Sequence, residues 1–317
     1  MTRRRLVGAG ALGLWLSAAV AAAQCQWQPA ATNGTIAFFS VVRAGPSFVG
    51  VGWDGTENVV ATSPDGVAWT VTAHDVPPGM LAWNGLELLG LFSPNGWTST
   101  DASSWTQITT DLGPQQPSLL TSAGGRFFAY VPPLWWGAGS FRTSSGGSDW
   151  SYLDSKEVNG IVFTGSRYVA VGDSWTGTSP DGLSWSWAPL PATSGGFNGL
   201  KDVAWNGRML VAVGQNGAVE TSRDGTTWTS RTSGVSAELN AVAATQDAFI
   251  CGGAQGTVLT SPDGATWRLE ATPLTNWVYH LVAAGSKTLA VDSYGNTFVR
   301  SCQEAPRVRR HLAPVTE

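Results

Sequence analysis

Charge is scarce in this chain. Only 13% of its 317 residues are Asp, Glu, Lys or Arg, and there are three His, three Cys and three Met. Runs of Ala, Glu, Lys and Leu, the material of amphipathic helices, are missing after the first two dozen residues. That argues against a helical fold. The three histidines, His74, His280 and His311, show no His-x-His or Glu-x-x-His spacing, so no zinc-type ligand set is indicated. No Gly-rich phosphate loop opens a helix, and no Ser-His-Asp arrangement or cofactor motif is evident. No basic stripe exists apart from a short tail with Arg307, Arg309 and Arg310, which disfavours nucleic acid and anionic membrane as partners.

Glycine and tryptophan are what the chain has in quantity: 39 and 17 residues. Short apolar segments alternate with Gly, Ser, Asn, Asp and Pro clusters, the pattern of many short strands joined by turns. The first 23 residues read differently. Arg3, Arg4 and Arg5 form a positive start, Leu6 to Val20 an apolar stretch, and Ala21-Ala22-Ala23 a small-residue cleavage site before Gln24. This predicts a signal peptide over 1–23, by the ordinary secretory or the twin-arginine route, and a secreted or periplasmic protein. Without that segment the basic count falls from 18 to 15 against 22 acids, a net charge of about −7. No second apolar span follows, so no integral membrane segment and a monomer are expected.

Internal repetition organises the rest. TSPDGVAW (62–69), TSTDASSW (98–105), TSSGGSDW (143–150), TSPDGLSW (178–185), TSRDGTTW (221–228) and TSPDGATW (260–267) start 36, 45, 35, 43 and 39 residues apart. Units of about 40 residues with four strands are the propeller signature. In the sixth unit the strands are expected at Leu239–Ala244, Ala248–Gly252, Thr257–Ser261 and Thr266–Ala271, with Asp263-Gly264 as the tight turn. Ser63, Asp65, Trp69, Asp101, Trp105, Trp150, Asp181, Trp185, Asp224, Trp228, Asp263 and Trp267 are read as structural. The Asp residues form turns and the Trp residues fill the space between sheets.

These segments resemble the Asp-box, or BNR, repeat of sialidase-like propellers, whose pattern is Ser-x-Asp-x-Gly-x-Thr-Trp. Ser261 through Trp267 and Ser222 through Trp228 come closest, each one residue shorter between Asp and Trp. The second box has Ala102 for Gly and the third Gly146 for Asp. The short box, the turns Trp83-Asn84-Gly85 and Trp205-Asn206-Gly207, and Ala212-Val213-Gly214 are also similar to bacterial propellers related to the photosystem II assembly factor. The first resemblance implies glycan chemistry, the second a protein-assembly role.

A seventh unit begins at Trp277, with strands at Tyr279–Ala284, Thr288–Asp292 and Asn296–Cys302. Arg300-Ser301-Cys302 is read in register with Thr260-Ser261-Pro262. No Trp follows it. The missing outer strand is Cys25-Gln26-Trp27-Gln28, from the other end of the chain. The expected fold is therefore all-β: a seven-bladed β-propeller of four-stranded antiparallel blades over 24–303, closed by the N-terminal strand, with a tail at 304–317. Cys25 and Cys302 would face each other and form a disulfide, in keeping with export. Locking so long a loop would contribute roughly 5 kcal/mol by chain entropy. Cys251 reads as a buried thiol.

Function in such rings gathers on the face opposite the boxes, formed by the loops between second and third strands and by the blade-to-blade connections. The candidate binding residues there are Trp53, Asp54, Glu57, Trp135, Trp136, Asp173, Trp175, Asp292 and Tyr294. Exposed aromatics beside carboxylates suit sugar stacking or a protein interface. The arginine triad that the sialidase resemblance would require is not evident. Arg126, Arg167 and Arg208 fall in hairpins, Arg223 in a box, Arg231 and Arg268 in outer strands. A two-carboxylate glycosidase would draw on Asp54, Glu57, Asp173 or Asp292. The expectation is a non-enzymatic, exported scaffold without cofactor. The alternative is a carbohydrate-binding protein or a glycoside hydrolase, with an exported protein or a glycan as partner.

Overall fold

The computed structural model describes residues 24–30, 36–74, 79–135, 137–190 and 199–303. They form seven four-stranded antiparallel sheets. Six are consecutive in sequence. Blade I opens with Ala37–Ala44, blade II with Met80–Trp83, blade III with Leu119–Ala123, blade IV with Gly160–Phe163, blade V with Leu200–Trp205 and blade VI with Leu239–Ala244. The seventh takes Val278–Ala284, Lys287–Asp292 and Thr297–Gln303 from the C-terminal end and Gln24–Pro29 from the other. Each innermost strand packs against those of both neighbours, and blade VII meets blade I. The ring is closed as expected, and it leaves the terminal blade no unpaired edge from a missing strand.

The strand order within a blade follows burial. Second strands such as Leu210–Gly214 and Phe249–Gly253 are buried along their whole length, because a sheet covers each side. Such strands read as continuous apolar runs without alternation. Outer strands such as Thr229–Arg231 are largely exposed.

Each box Trp fills the gap toward the preceding blade. Trp69 packs on Leu289 and Val291 of blade VII, Trp105 on Val49 and Val51 of blade I, and Trp150 on Leu89 and Leu91 of blade II. Trp185 joins Phe128 and Phe141 of blade III, Trp228 packs on Val169 and Val171, and Trp267 on Val211 and Val213. Trp27 completes the set against Ile250 and Val258 of blade VI. Truncating a buried ring of this size to Ala costs about 3–5 kcal/mol.

The boxes also build their own hairpins. In blade I, Ser63 Oγ accepts the Gly66 N–H at 2.8 Å, and Asp65 Oδ1 accepts those of Val67 and Ala68 at 2.8 and 3.1 Å. The Trp69 indole N–H then donates to the Gly66 carbonyl at 3.1 Å. Asp101, Asp181, Asp224 and Asp263 accept the same pair of backbone N–H groups in their blades. These donors hold the carboxyls below the ordinary value, Asp181 at about 2.

Two boxes deviate. In blade III, Gly146 leaves no box carboxylate, and Asp111 from the preceding connection accepts the Trp150 N–H at 2.9 Å instead. In blade II the Ala102 carbonyl takes Thr72 Oγ1 at 2.7 Å. The buried Trp105 ring N–H then has no acceptor among the described residues.

Ring closure differs from the other blades. The register Gly252↔Val258 corresponds to Val291↔Thr297, an offset of 39 residues. Arg300 therefore stands at the level of Ser261, not of Thr260, which corrects the register read from the sequence by one residue. Trp27 pairs with Arg300, at the level of a box Trp. No box glycine is there to receive its ring N–H. It donates instead to Glu270 Oε2 at 2.8 Å, and the Arg300 guanidinium grips the same carboxylate through Nη2 at 2.6 Å and Nε at 2.9 Å. Cys25 and Cys302, opposite each other in this pair of strands, form the expected disulfide across a sequence separation of 277.

Candidate functional site

The loop face surrounds one mouth of the central channel. Four innermost strands carry a bulge close to it, each opposing one partner residue with two of its own. The bulges leave Phe39, Lys201, Asn240 and Tyr279 out of the pairing in blades I, V, VI and VII. A bulge re-aims the extra side chain; Phe39 and Tyr279 are exposed here, and Lys201 and Asn240 are half-buried.

The sequence candidates distribute unevenly around that ring. Trp53 ends the second strand of blade I and is 41% exposed. Tyr294, on the corresponding loop of blade VII, is 71% exposed. Three rings that the sequence reading did not single out join them: Phe39 at 45%, Trp277 at 38% and Tyr279 at 48%. The last two lie 6.2 Å apart between centroids. The Asp292–Asn296 loop ties this group together. Ser293 N–H donates to the Trp277 carbonyl at 2.8 Å, and Phe38 N–H to the Gly295 carbonyl at 3.0 Å. Five exposed aromatic side chains thus share the arc of blades VII and I. Isolated exposed apolar residues are ordinary, but five large rings on two adjacent blades are not.

The acids expected beside these rings are already engaged. Asp54 Oδ1 accepts the N–H groups of Thr56 and Glu57 at 2.8 and 2.9 Å and the Thr56 hydroxyl at 2.7 Å. Those contacts, the Glu57 amide first, draw its carboxyl down. Glu57 meets His74 Nδ1 at 2.7 Å. Asp292 is buried and accepts from the side-chain amides of Asn276 and Asn296 at 2.8 and 2.9 Å and from the amides of Tyr294 and Asn296 at 2.9 Å. Asp54 and Asp292 therefore shape their loops.

The remaining candidates lie across the ring. Trp135 on blade III is 87% exposed beside Leu134; Trp136 lies outside the described residues, as does His311. Trp175 is half-buried beneath the Lys156 ammonium, 4.6 Å from the ring centre. Asp173 accepts from Asn159 Nδ2 at 2.8 Å and pairs with Lys201 Nζ at 3.0 Å. Burial first, then Asp173, pushes the neighbouring Glu157 carboxyl up.

In the channel wall Asp202 joins two blades. Its Oδ2 accepts the Val242 N–H of blade VI and its Oδ1 its own neighbour Val203 N–H, both at 2.8 Å. Burial pushes this carboxyl up to about 7 despite those donors. Ser40 makes the equivalent link, accepting Leu81 N–H at 3.1 Å. The Cys251 thiol is buried and likewise raised by burial. Among the described residues no three His, Cys, Asp or Glu are grouped to hold a metal ion.

The family described as the DUF6242 β-propeller domain matches residues 179–311, the last blades of the ring. Among solved structures the chain is similar to YCF48 from Cyanidioschyzon merolae, at 16% identity and TM-score 0.63, over 86% of this chain and 98% of that one. It is similar to YCF48 bound to D1 peptide at 19% identity and TM-score 0.63, over 87% and 94%. It is similar as well to virginiamycin B lyase from Staphylococcus aureus at 8% identity and TM-score 0.69, over 88% and 99%. No curated protein sequence matches. At these identities the likeness is one of fold, and the fold serves both binding and catalysis.

Proposed function

We propose that this protein is an exported, monomeric, non-enzymatic scaffold that binds a segment of a protein partner on its loop face. The observation that carries the reading is the arc of Phe39, Trp53, Trp277, Tyr279 and Tyr294, five exposed rings on two adjacent blades. Large aromatic side chains on a rigid frame are the usual anchors of protein interfaces. Trp135 and Trp175 extend the same face toward blades III and IV. The engagement of Asp54 and Asp292 in their own loops favours binding over two-carboxylate hydrolysis. The peptide complex of YCF48 is a precedent for peptide recognition on this fold. The Cys25–Cys302 bridge supports export of the chain after removal of 1–23. The box hydrogen bonds support kinship with Asp-box repeats.

The test is affinity capture from the exported-protein fraction with the oxidised mature chain. A defined protein retained by the wild type should be lost with Trp53→Ala/Tyr279→Ala. Capture unaffected by that variant would refute the reading. Tryptophan fluorescence shifts with oligosaccharides, and none with protein, would favour a glycan.

A further inference from the structure

The two sides of the loop face differ in chemistry. The arc of blades VII and I is aromatic. Across the mouth, the blade connections carry Lys156, Glu157 and Glu238, the blade IV loop carries Asp173, and the blade V bulge carries Lys201. Both lysines are already occupied. Lys201 pairs with Asp173 at 3.0 Å, and Lys156 lies over the Trp175 ring with Asp154 4.0 Å away. Glu157 and Glu238 have no ionic partner among the described residues. Partial burial first and then Asp173 disfavour the charge of Glu157, and Lys201 offsets them only in part. This rim therefore holds more negative charge than its lysines balance, in a mature chain that is itself acidic.

From this arrangement we infer that the partner segment is an extended, basic and apolar peptide. Its lysine or arginine side chains lie against the Glu157–Glu238 rim and its apolar residues on the aromatic arc. The inference rests on the scaffold reading above and adds to it the chemistry of the partner. A second cation at the rim adds to what the one Lys201 ammonium supplies to both Glu157 and Asp173, and the rings on the other side accept either apolar groups or cations on their faces. An acidic segment would meet like charge at the Glu157–Glu238 rim, which is how such a face excludes wrong partners.

The experiment titrates the oxidised mature chain with three synthetic peptides of roughly twelve residues. They share apolar and aromatic residues and differ only in carrying Lys, Ser or Glu at the intervening positions. Tryptophan fluorescence and calorimetry report binding. The Lys peptide is expected to bind about ten-fold tighter than the Ser peptide, with an affinity that falls several-fold as salt screens the rim. The Glu peptide should not bind. Glu157→Gln/Glu238→Gln should remove most of the Lys-over-Ser difference and leave the Ser peptide unchanged. Trp53→Ala/Tyr279→Ala should weaken both.

Equal affinity for Lys and Ser peptides, preference for Glu, or a Lys preference that survives the Gln variants would overturn the charge assignment and leave the scaffold reading standing. No binding by any peptide, together with protein capture insensitive to Trp53→Ala/Tyr279→Ala, would overturn both.

Discussion

Replacing Glu270 with Ala should open the ring at its seam. The Glu270 carboxylate accepts from two groups that close blade VII, the Arg300 guanidinium and the Trp27 indole N–H, while Arg300 Nη1 also reaches Cys302 Sγ at 3.2 Å. The Arg300 and Glu270 side chains are only 5% and 11% exposed. Removing one partner of a buried ion pair costs about 3–5 kcal/mol, because the other charge is stranded. The orphaned indole N–H adds about 1–3 kcal/mol. The two losses share one acceptor and do not add fully, so about 4 kcal/mol is expected. For a chain of this size that lowers Tm by roughly 10 °C.

Thermal and urea unfolding of the oxidised protein measure the loss. Hydrogen exchange of the Gln24–Pro29 amides localises it, and these should exchange well before those of Leu210–Gly214. Glu270→Met/Arg300→Met should recover the part owed to the stranded charge, since no charge is then left buried, and leave the smaller loss from the Trp27 indole N–H. A loss below about 1 kcal/mol in Glu270→Ala, with unchanged exchange in the N-terminal strand, would refute the reasoning.

Other expectations follow from single sites. Ala102→Gly should raise stability by about 1 kcal/mol, because Ala102 sits at φ 61°, a left-handed conformation costly for a residue with Cβ; unchanged unfolding midpoints would contradict this. Asp202 keeps its proton in the folded chain up to about pH 7, whereas an unfolded Asp loses it near 4. Its contribution to stability is therefore complete below about pH 4, declines as pH rises toward 7, and is flat beyond. Asp202→Asn should show a shallower decline than the wild type when urea midpoints are compared at pH 5 and pH 8. Cys25→Ser/Cys302→Ser should lower stability by at most about 5 kcal/mol, with faster exchange confined at first to Gln24–Pro29. Uniformly faster exchange would mean the bridge holds more than the seam.

The ring was legible because its information is local and repeated. Each box carries its own turn residues, its own hydrogen bonds and a Trp at fixed spacing, so six copies announce the unit without any distant contact. Even the split blade could be read, since Cys25 and Trp27 supply what Cys302 lacks. The register of Arg300 was misplaced by one because the seventh unit has no box serine to align on. The candidate face was read less completely. Trp53 and Tyr294 stand in loops and could be found by comparing blades. Phe39 and Tyr279 sit inside strands and reach the surface only because a bulge takes them out of the ladder. Trp277 marks the start of the seventh unit, and nothing near it in sequence shows that it borders Tyr294's loop.

By itself the sequence determined the blade, its turns and the number of repeats, products of short-range chemistry, and the cysteine partners, which followed from the one blade left incomplete. Only the tertiary structure decided which side chains lock the ring's seam and which aromatic rings share its loop face. Trp27 and Glu270 are 243 residues apart, and the arc joins Phe39 to Tyr279. Such pairs exist only once the two ends of the chain meet in one sheet, because ring closure brings together residues that no local pattern relates.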